Sequence, residues 1–404
     1  MSQAADRIFA NPRASDVGMI AGVSAAHFVS HFYMLVLPPL FVFVRADYGV
    51  SYTELGLALT TLNVVSAVLQ TPAGFLVDRI DARLVLVAGL LLQALGYAIA
   101  AAFDSYWVLV AMFALIGLGN TVYHPADYAL LSHRISAERM SQAYSVHTFS
   151  GMLGSAAAPV SMLLMHSLFG WRGAFFGAAI LGFAVAAILF FRRDVAPAPK
   201  ISKTQAATDS QTTWHLLLSR PILISLLFFM LLSFANGGLQ NYSVVALGAL
   251  YGTTPIAANA ALSANLVLSA TGVLLGGWIA GRTARHGVVA AFGLAASALA
   301  IMLLGAVDPS ALLLLVLMSL AGLCSGMIMP SRDMLVRAVT PPGAFGKVFG
   351  FVTNGFNLAG VVSPLIFGAL MDHGEPRAVF LLIGTCSLLA VATVAMSTRP
   401  RVKS

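Results

Sequence analysis

Gly117-Leu-Gly-Asn-Thr-Val-Tyr-His-Pro125 returns 205 residues later as Gly322-Leu-Cys-Ser-Gly-Met-Ile-Met-Pro330, with the Gly-Leu pair and the Pro kept. Pro159 and Pro364 keep the same offset. Gly74…Arg79 recurs as Gly277…Arg282 and Tyr48-Gly49 as Tyr251-Gly252, both shifted by 203. Duplication at a nearly constant offset inside an apolar polypeptide is the mark of a transporter built from two membrane-embedded halves around a central pathway.

Composition supports that reading. Hydrophobic residues make up 59% of the chain and charged residues 9%, against about 25% charged in soluble proteins. No soluble fold hides so much apolar surface, so lipid is the expected solvent. Residues 84–103, 105–126, 173–191, 309–331, 348–371 and 378–398 each lack Asp, Glu, Lys and Arg, and 221–281 lacks these and His. About 20 residues at 1.5 Å each cross a hydrocarbon core of roughly 30 Å.

The expected fold is therefore an all-α membrane protein of twelve helices. Their expected ranges are 17–45, 52–78, 84–104, 106–134, 140–168, 172–192, 219–249, 255–281, 287–307, 309–337, 345–371 and 376–397. Twelve crossings put both termini on one side. With that side go eighteen Lys and Arg residues, among them Arg79, Arg83, Arg134, Arg139, Arg192, Arg193, Arg282, Arg285, Arg337 and Lys347. The other side has Arg45, Arg172 and Arg377. The bias makes the termini cytoplasmic. It also accounts for the net charge of +7 through the anionic inner leaflet, without nucleic acid.

Three domains follow: an N-terminal six-helix bundle over 1–192, a polar cytoplasmic linker over 193–218 and a C-terminal six-helix bundle over 219–404. The linker carries Pro197, Pro199 and several Ser, Thr and Gln. Cys324 and Cys386 both fall inside apolar spans, so neither a disulfide framework nor a metal site is expected. Residues 1–16 are polar and the first apolar stretch is of full span length, so no cleavable leader is expected.

Gly74-Phe-Leu-Val-Asp78-Arg79-Ile-Asp81-Ala-Arg83 lies between the second and third spans. It resembles the signature loop of the major facilitator superfamily, Gly-x-Leu-x-Asp-Arg-x-Gly-Arg-Arg, with Asp81 and Ala82 as departures. The second copy, Gly277-Trp-Ile-Ala-Gly281-Arg282, keeps the Arg and loses the Asp. Two further patterns resemble the fosmidomycin-resistance type of exporter. Ala26-His27-Phe-Val-Ser30-His31 looks like that group's Ser-His-x-x-Asn-Asp, and Gly117…His124-Pro125-Ala-Asp127 like its Gly-x-Gly-x-x-x-x-His-Pro-Glu. Where those exporters carry a carboxylate on the first helix, this chain has His31. Gly151, Gly154, Ala158 and Pro159 match part of the export-associated pattern on the fifth helix, and small residues there also serve close helix packing. The resemblance implies a monomer in the bacterial-type inner membrane, and it places Asp78 against the start of the eleventh helix near Gly343–Lys347.

Ionisable groups inside spans are functional candidates. The first span carries Ser24, His27, His31 and Met34 on one helical stripe, and the fourth carries Asn120, His124 and Asp127. The seventh carries Ser233, Asn236 and Gln240, and the second Asn63, Ser66 and Gln70. The resemblance implies a pathway lined by the first, fourth, seventh and tenth helices. The expected substrate and proton pathway is thus His27, His31, Asn120, Tyr123, His124, Asn236, Gln240 and Arg332. Imidazoles there could carry protons or fix helix packing; for His147 on the fifth span packing is the expectation. The expected gate and signature-loop set is Gly74, Asp78, Arg79, Arg83 and Asp127. Asp127 and Arg332 stand 205 apart and could meet as a gate. Alternatively Asp127 pairs with Arg79 or Arg83 and Arg332 with Asp333, or Arg332 contacts substrate.

No nucleophile–base pair, phosphate-cradling Gly loop or Cys/His metal cluster is recognisable, so an enzyme is not expected and no cofactor is implied. The 26-residue linker has no room for a nucleotide-driven motor. The expected partners are a small molecule, protons and the bilayer. The leading expectation is a secondary active transporter, a proton-coupled efflux antiporter. The alternatives are a proton symporter importing a small carboxylate or other organic anion, and a transport-inactive sensor of the same fold.

Overall fold

In hydrocarbon every backbone N–H and C=O must be satisfied inside its own segment, and helices do this locally. The structure, a computed structural model, describes residues 14–77, 79–135, 137–192, 215–341 and 345–397 and has no strand among them. Most of the linker, 193–214, together with Asp78 and 342–344, lies outside the described residues.

The helices are α1 (Ala14–Met34), α2 (Phe41–Tyr48), α3 (Tyr52–Val77), α4 (Ala82–Ala102), α5 (Tyr106–Asn120), α6 (Tyr123–Arg134) and α7 (Ala137–Phe191). They continue as α8 (Arg220–Tyr251), α9 (Pro255–Ala280), α10 (His286–Ala306), α11 (Ala311–Met327), α12 (Met329–Val339), α13 (Phe345–Asp372) and α14 (Pro376–Ser397). Eleven stretches among the described residues are long and apolar enough to cross a membrane. One of them, Gln142–Phe191, has 50 residues, about 75 Å of helix against a core of roughly 30 Å. It breaks at Gly170, whose φ of 71° and ψ of 174° are not helical.

Three expected spans are interrupted, each for a stated reason. The range 17–45 is split by a 3-10 turn at Pro38–Leu40, because Pro38 and Pro39 supply no N–H to the preceding turn. The range 106–134 breaks between Asn120 and Tyr123, just before Pro125. The range 309–337 breaks between Met327 and Met329, just before Pro330. The last two breaks are the same break in the two copies.

Other repeated positions also do equivalent work. Gly49 and Gly252 both have positive φ, 66° and 64°, a conformation that disfavours a side chain. A Cβ on Gly117 would press into the Leu62 backbone, and one on Gly322 into the Asn265 backbone. The Gly-Leu pair is therefore a close helix crossing made twice.

Contacts divide the chain into two compact units, Met1–Tyr48 with Thr61–Lys203, and Gly49–Thr60 with Thr204–Ser404. In the first, α1 packs on α7, and α4 on α5 and α7. In the second, α9 packs on α11, α8 on α13 and α14, and α10 on α14. Ile222, Phe229, Ala290, Val348 and Ala390 belong to the core of the second unit. Ile180, Phe191, Phe292 and Leu312 are among many large apolar side chains left exposed, which suits a lipid-facing surface.

Candidate functional site

The site forms where α1, α6 and α7 meet in the first unit. Close approach of α1 and α7 is permitted by two glycines. A Cβ on Gly151 would meet the His27 ring at 2.5–2.6 Å and the His31 ring at 2.9 Å, and one on Gly154 would strike the Phe28 carbonyl. The helix break before α6 starts a new helix at Tyr123, and His124 and Asp127 sit on its first two turns. Ser30 Oγ donates to the His27 carbonyl at 2.8 Å and Ser150 Oγ to the Ser24 carbonyl at 2.7 Å, which ties α1 to itself and to α7.

Asp127 is the centre. It has no exposed surface, and neither carboxylate oxygen has a hydrogen-bond partner among the described residues. His27 Nδ1 stands 3.4 Å from Asp127 Oδ2, and His147 Nε2 stands 3.7 Å from the same oxygen. The His27 ring lies 3.8 Å from that of His147, 4.6 Å from His31 and 5.7 Å from His124, centroid to centroid. His31 Nδ1 lies 3.3 Å from Ser155 Oγ on α7. His124 is exposed, with Tyr128 stacked beside it, and Tyr128 meets Tyr144 edge-on. Two imidazoles thus face one buried carboxylate, and two more stand beside the His27 ring. An isolated buried charge costs several kcal/mol or more, so a carboxyl in this position is stable when protonated, paired or bound to a cation.

The other expected residues are distributed elsewhere. Asn120 Nδ2 donates to Ser66 Oγ, which donates to the Gly117 carbonyl. Tyr123 is buried and its hydroxyl donates to Gln93 Oε1 at 2.6 Å. Arg83 Nη1 donates to the Arg192 carbonyl at 2.9 Å, and Asp81 caps α4 by accepting from the Arg83 N–H. Arg79 is exposed in the turn after α3, and Gly74 has open space where a Cβ would stand. Asp78 lies outside the described residues.

In the second unit, Asn236 and Arg332 line a cavity of about 100 Å³ with Ser297, Ser325, Phe356 and Ser387. Gln240 lies one helical turn beyond Asn236 and is partly exposed. Arg332 Nε donates to Asp333 Oδ1 at 2.9 Å, and its guanidinium lies 4.6 Å from the Phe229 ring centre.

The sequence reading assigned His147 to helix packing, and the structure places its ring beside Asp127 and His27. One signal was available: His147 stands four residues before Gly151, so the helix face that touches α1 carries both. Gln93, the partner of Tyr123, had no local signal.

Residues 23–245 and 226–404 match the Major Facilitator Superfamily profile. The fosmidomycin resistance protein of Escherichia coli (strain K12) is 21% identical over 383 residues, covering 93% of this chain and 92% of that one. The "Probable nitrate/nitrite transporter NarK2" of Mycobacterium tuberculosis (strain CDC 1551 / Oshkosh) is 26% identical, covering 89% and 90%. Among solved structures, a bacterial homolog of the human lysosomal transporter Spinster, inward-facing and occupied, aligns with a TM-score of 0.80 at 12% identity. It covers 97% of this chain and 99% of that one. With the duplicated helical units and a profile match along nearly the whole length, this chain belongs to the Major Facilitator Superfamily.

Proposed function

We propose that this transporter exports a small molecule from the cytoplasm in exchange for protons, by alternating access, with the Asp127 cluster as the proton carrier. In this reading the chain is a monomer in the inner membrane, with twelve crossings and cytoplasmic termini. The carrying observation is the fully buried Asp127 carboxylate, unbonded, with His27 and His147 at 3.4 and 3.7 Å. His31 and the exposed His124 link it to the surface of the unit. Tyr123, Tyr128 and Tyr144 are the remaining titratable groups nearby, and the Asp16–Arg139 ion pair closes the far end of α1 against α7. A carboxylate amid imidazoles passes a proton without forming a lone charge in hydrocarbon. The similarity to a fosmidomycin resistance protein supports export and supplies a first compound to try.

The test is proton movement in everted vesicles with an imposed pH gradient, against a compound panel beginning with fosmidomycin. Substrate should discharge the gradient in the native protein and not in Asp127→Asn. Unchanged discharge in Asp127→Asn would end the proposal.

A second reading has its own observation. The Arg332 cavity, with Asn236 and three serines, has the donors an oxyanion needs, and one relative is named as a nitrate/nitrite transporter. On this reading the protein imports a small anion with protons. Alkalinisation outside whole cells on adding the anion would support it.

A further inference from the structure

We propose that His27 Nδ1, Asp127 Oδ2 and His147 Nε2 form a binding site for one divalent transition-metal ion of the kind that takes imidazole and carboxylate ligands, such as Zn²⁺, Co²⁺ or Ni²⁺. The inference rests on reading the cluster as the exchange centre, since the same side chains serve both roles.

The distances carry the argument. At 3.4 and 3.7 Å the two nitrogens stand too far from Asp127 Oδ2 for N–H···O hydrogen bonds, which run at about 2.7–3.2 Å. Ligands bonded to Zn²⁺ at about 2.0–2.1 Å in a tetrahedron lie about 3.3 Å apart. The two nitrogen–oxygen spacings match that edge to within a few tenths of an ångström. All three ligand atoms lie within 4.8 Å of one another, and all three residues are buried. A cation between them would bond His27 Nδ1, Asp127 Oδ2 and His147 Nε2, none of which has a hydrogen-bond partner among the described residues.

The donor set selects the metal. Two imidazoles and one carboxylate suit Zn²⁺, Co²⁺ or Ni²⁺, whereas Mg²⁺ and Ca²⁺ take oxygen ligands. Cu⁺ favours thiolates and thioethers, and the two cysteines, Cys324 and Cys386, are in the other unit. Three protein ligands leave a fourth position open, as in exchangeable sites. The partly exposed His31 and the exposed His124 flank it and give the ion a route in. The ligands come from α1, α6 and α7, so the site exists only in the folded bundle. That is why no Cys/His spacing in the sequence announces it.

The experiment uses the full chain purified in detergent and titrated with Co²⁺, whose ligand-field absorption reports four-coordinate nitrogen and oxygen ligation. The expected result is one equivalent of Co²⁺ bound and displaced by Zn²⁺. Asp127→Asn and His147→Gln, both close to the native side-chain volume, should each weaken binding by about 100-fold. His166→Gln, which removes a ring stacked on Phe43, should bind like the native chain. Absence of the absorption in monodisperse native protein, or equal affinity in Asp127→Asn, would overturn the inference. Its failure is separable from that of the proton reading: vesicle discharge by an organic compound needs no metal binding, and Co²⁺ titration in detergent needs no proton gradient.

Discussion

Asp372, at the last position of α13, holds Thr53 at the start of α3: Oδ2 accepts both the Thr53 backbone N–H, at 2.8 Å, and its hydroxyl. Oδ1 accepts the Tyr52 N–H at 2.8 Å. A side chain 319 residues away in the sequence thus satisfies donors that the first turn of α3 leaves without helical partners. The negative charge also faces the positive end of the α3 dipole. Removing such a cap costs typically about 1 kcal/mol. Asp372→Ala should lower the thermal unfolding midpoint in detergent by about 2 °C or more. Thr53→Ala keeps both backbone bonds and should cost less than half as much. Equal midpoints for native and Asp372→Ala would show that the cap contributes nothing.

Gly151 gives a test of how the cluster is positioned. A methyl group there would stand 2.5 Å from His27 Cδ2, inside van der Waals contact, and since the atoms it meets all belong to the His27 and His31 side chains, the rings are the part that moves. Gly151→Ala should therefore reduce Co²⁺ binding and vesicle proton discharge together, while the protein still elutes as a monodisperse species. Gly350→Ala, at a position with open space around it, should change neither. Native activity in Gly151→Ala would mean that the ring orientation is unimportant.

Much of this architecture was legible because it rests on local chemistry. Tyr48-Gly49 and Tyr251-Gly252 both end helices with a left-handed glycine, and a repeat of such a pair can be read directly. Helix limits at Tyr52, Pro255 and Pro376 agree with expectation to the residue, since Thr-Pro, Glu-Pro and Ser-Tyr dipeptides punctuate an apolar text. The Pro38–Pro39 turn was hidden because the residues around it stay apolar, so hydropathy runs across the break. Stripes on single helices brought His27, His31, His124 and Asp127 forward, and the fold sets His31, His124 and Asp127 around the His27 ring. What could not be read was which stripe faces which. His147 joins Asp127 from 20 residues away and His27 from 120, and only packing decides that meeting. Asp372 was invisible for the same reason.

Tyr123 separates a pathway role from a structural one. Its hydroxyl is buried and donates to Gln93 Oε1, and Gln93 Nε2 donates to the Ile116 carbonyl, so the chain of bonds pins α6 to α4 and α5. Tyr123→Phe leaves the Gln93 oxygen unsatisfied, a cost of about 1–3 kcal/mol. The expected outcome is a lower unfolding midpoint with Co²⁺ affinity within about twofold of native, because the hydroxyl does not touch the imidazoles. A loss of metal or proton coupling at unchanged stability would instead put Tyr123 in the pathway.

Arg332 decides between the two transport readings. Its Nε is taken by Asp333, its plane lies over Phe229, and the group faces the cavity that Asn236, Ser297 and Ser325 share. A planar, forked cation resting on an aromatic face binds a carboxylate or nitrate-like anion with two parallel bonds, which Lys cannot reproduce. If the cavity receives an anion, Arg332→Lys should raise the uptake KM by about tenfold, the loss of one charge-assisted bond of roughly 1.5 kcal/mol, and Arg332→Gln should abolish uptake. Co²⁺ binding at Asp127 should be native in both variants, since the ligands belong to the other unit. Native anion uptake in Arg332→Gln would remove Arg332 and its cavity from anion binding, and absence of anion uptake in the native protein would eliminate the import reading.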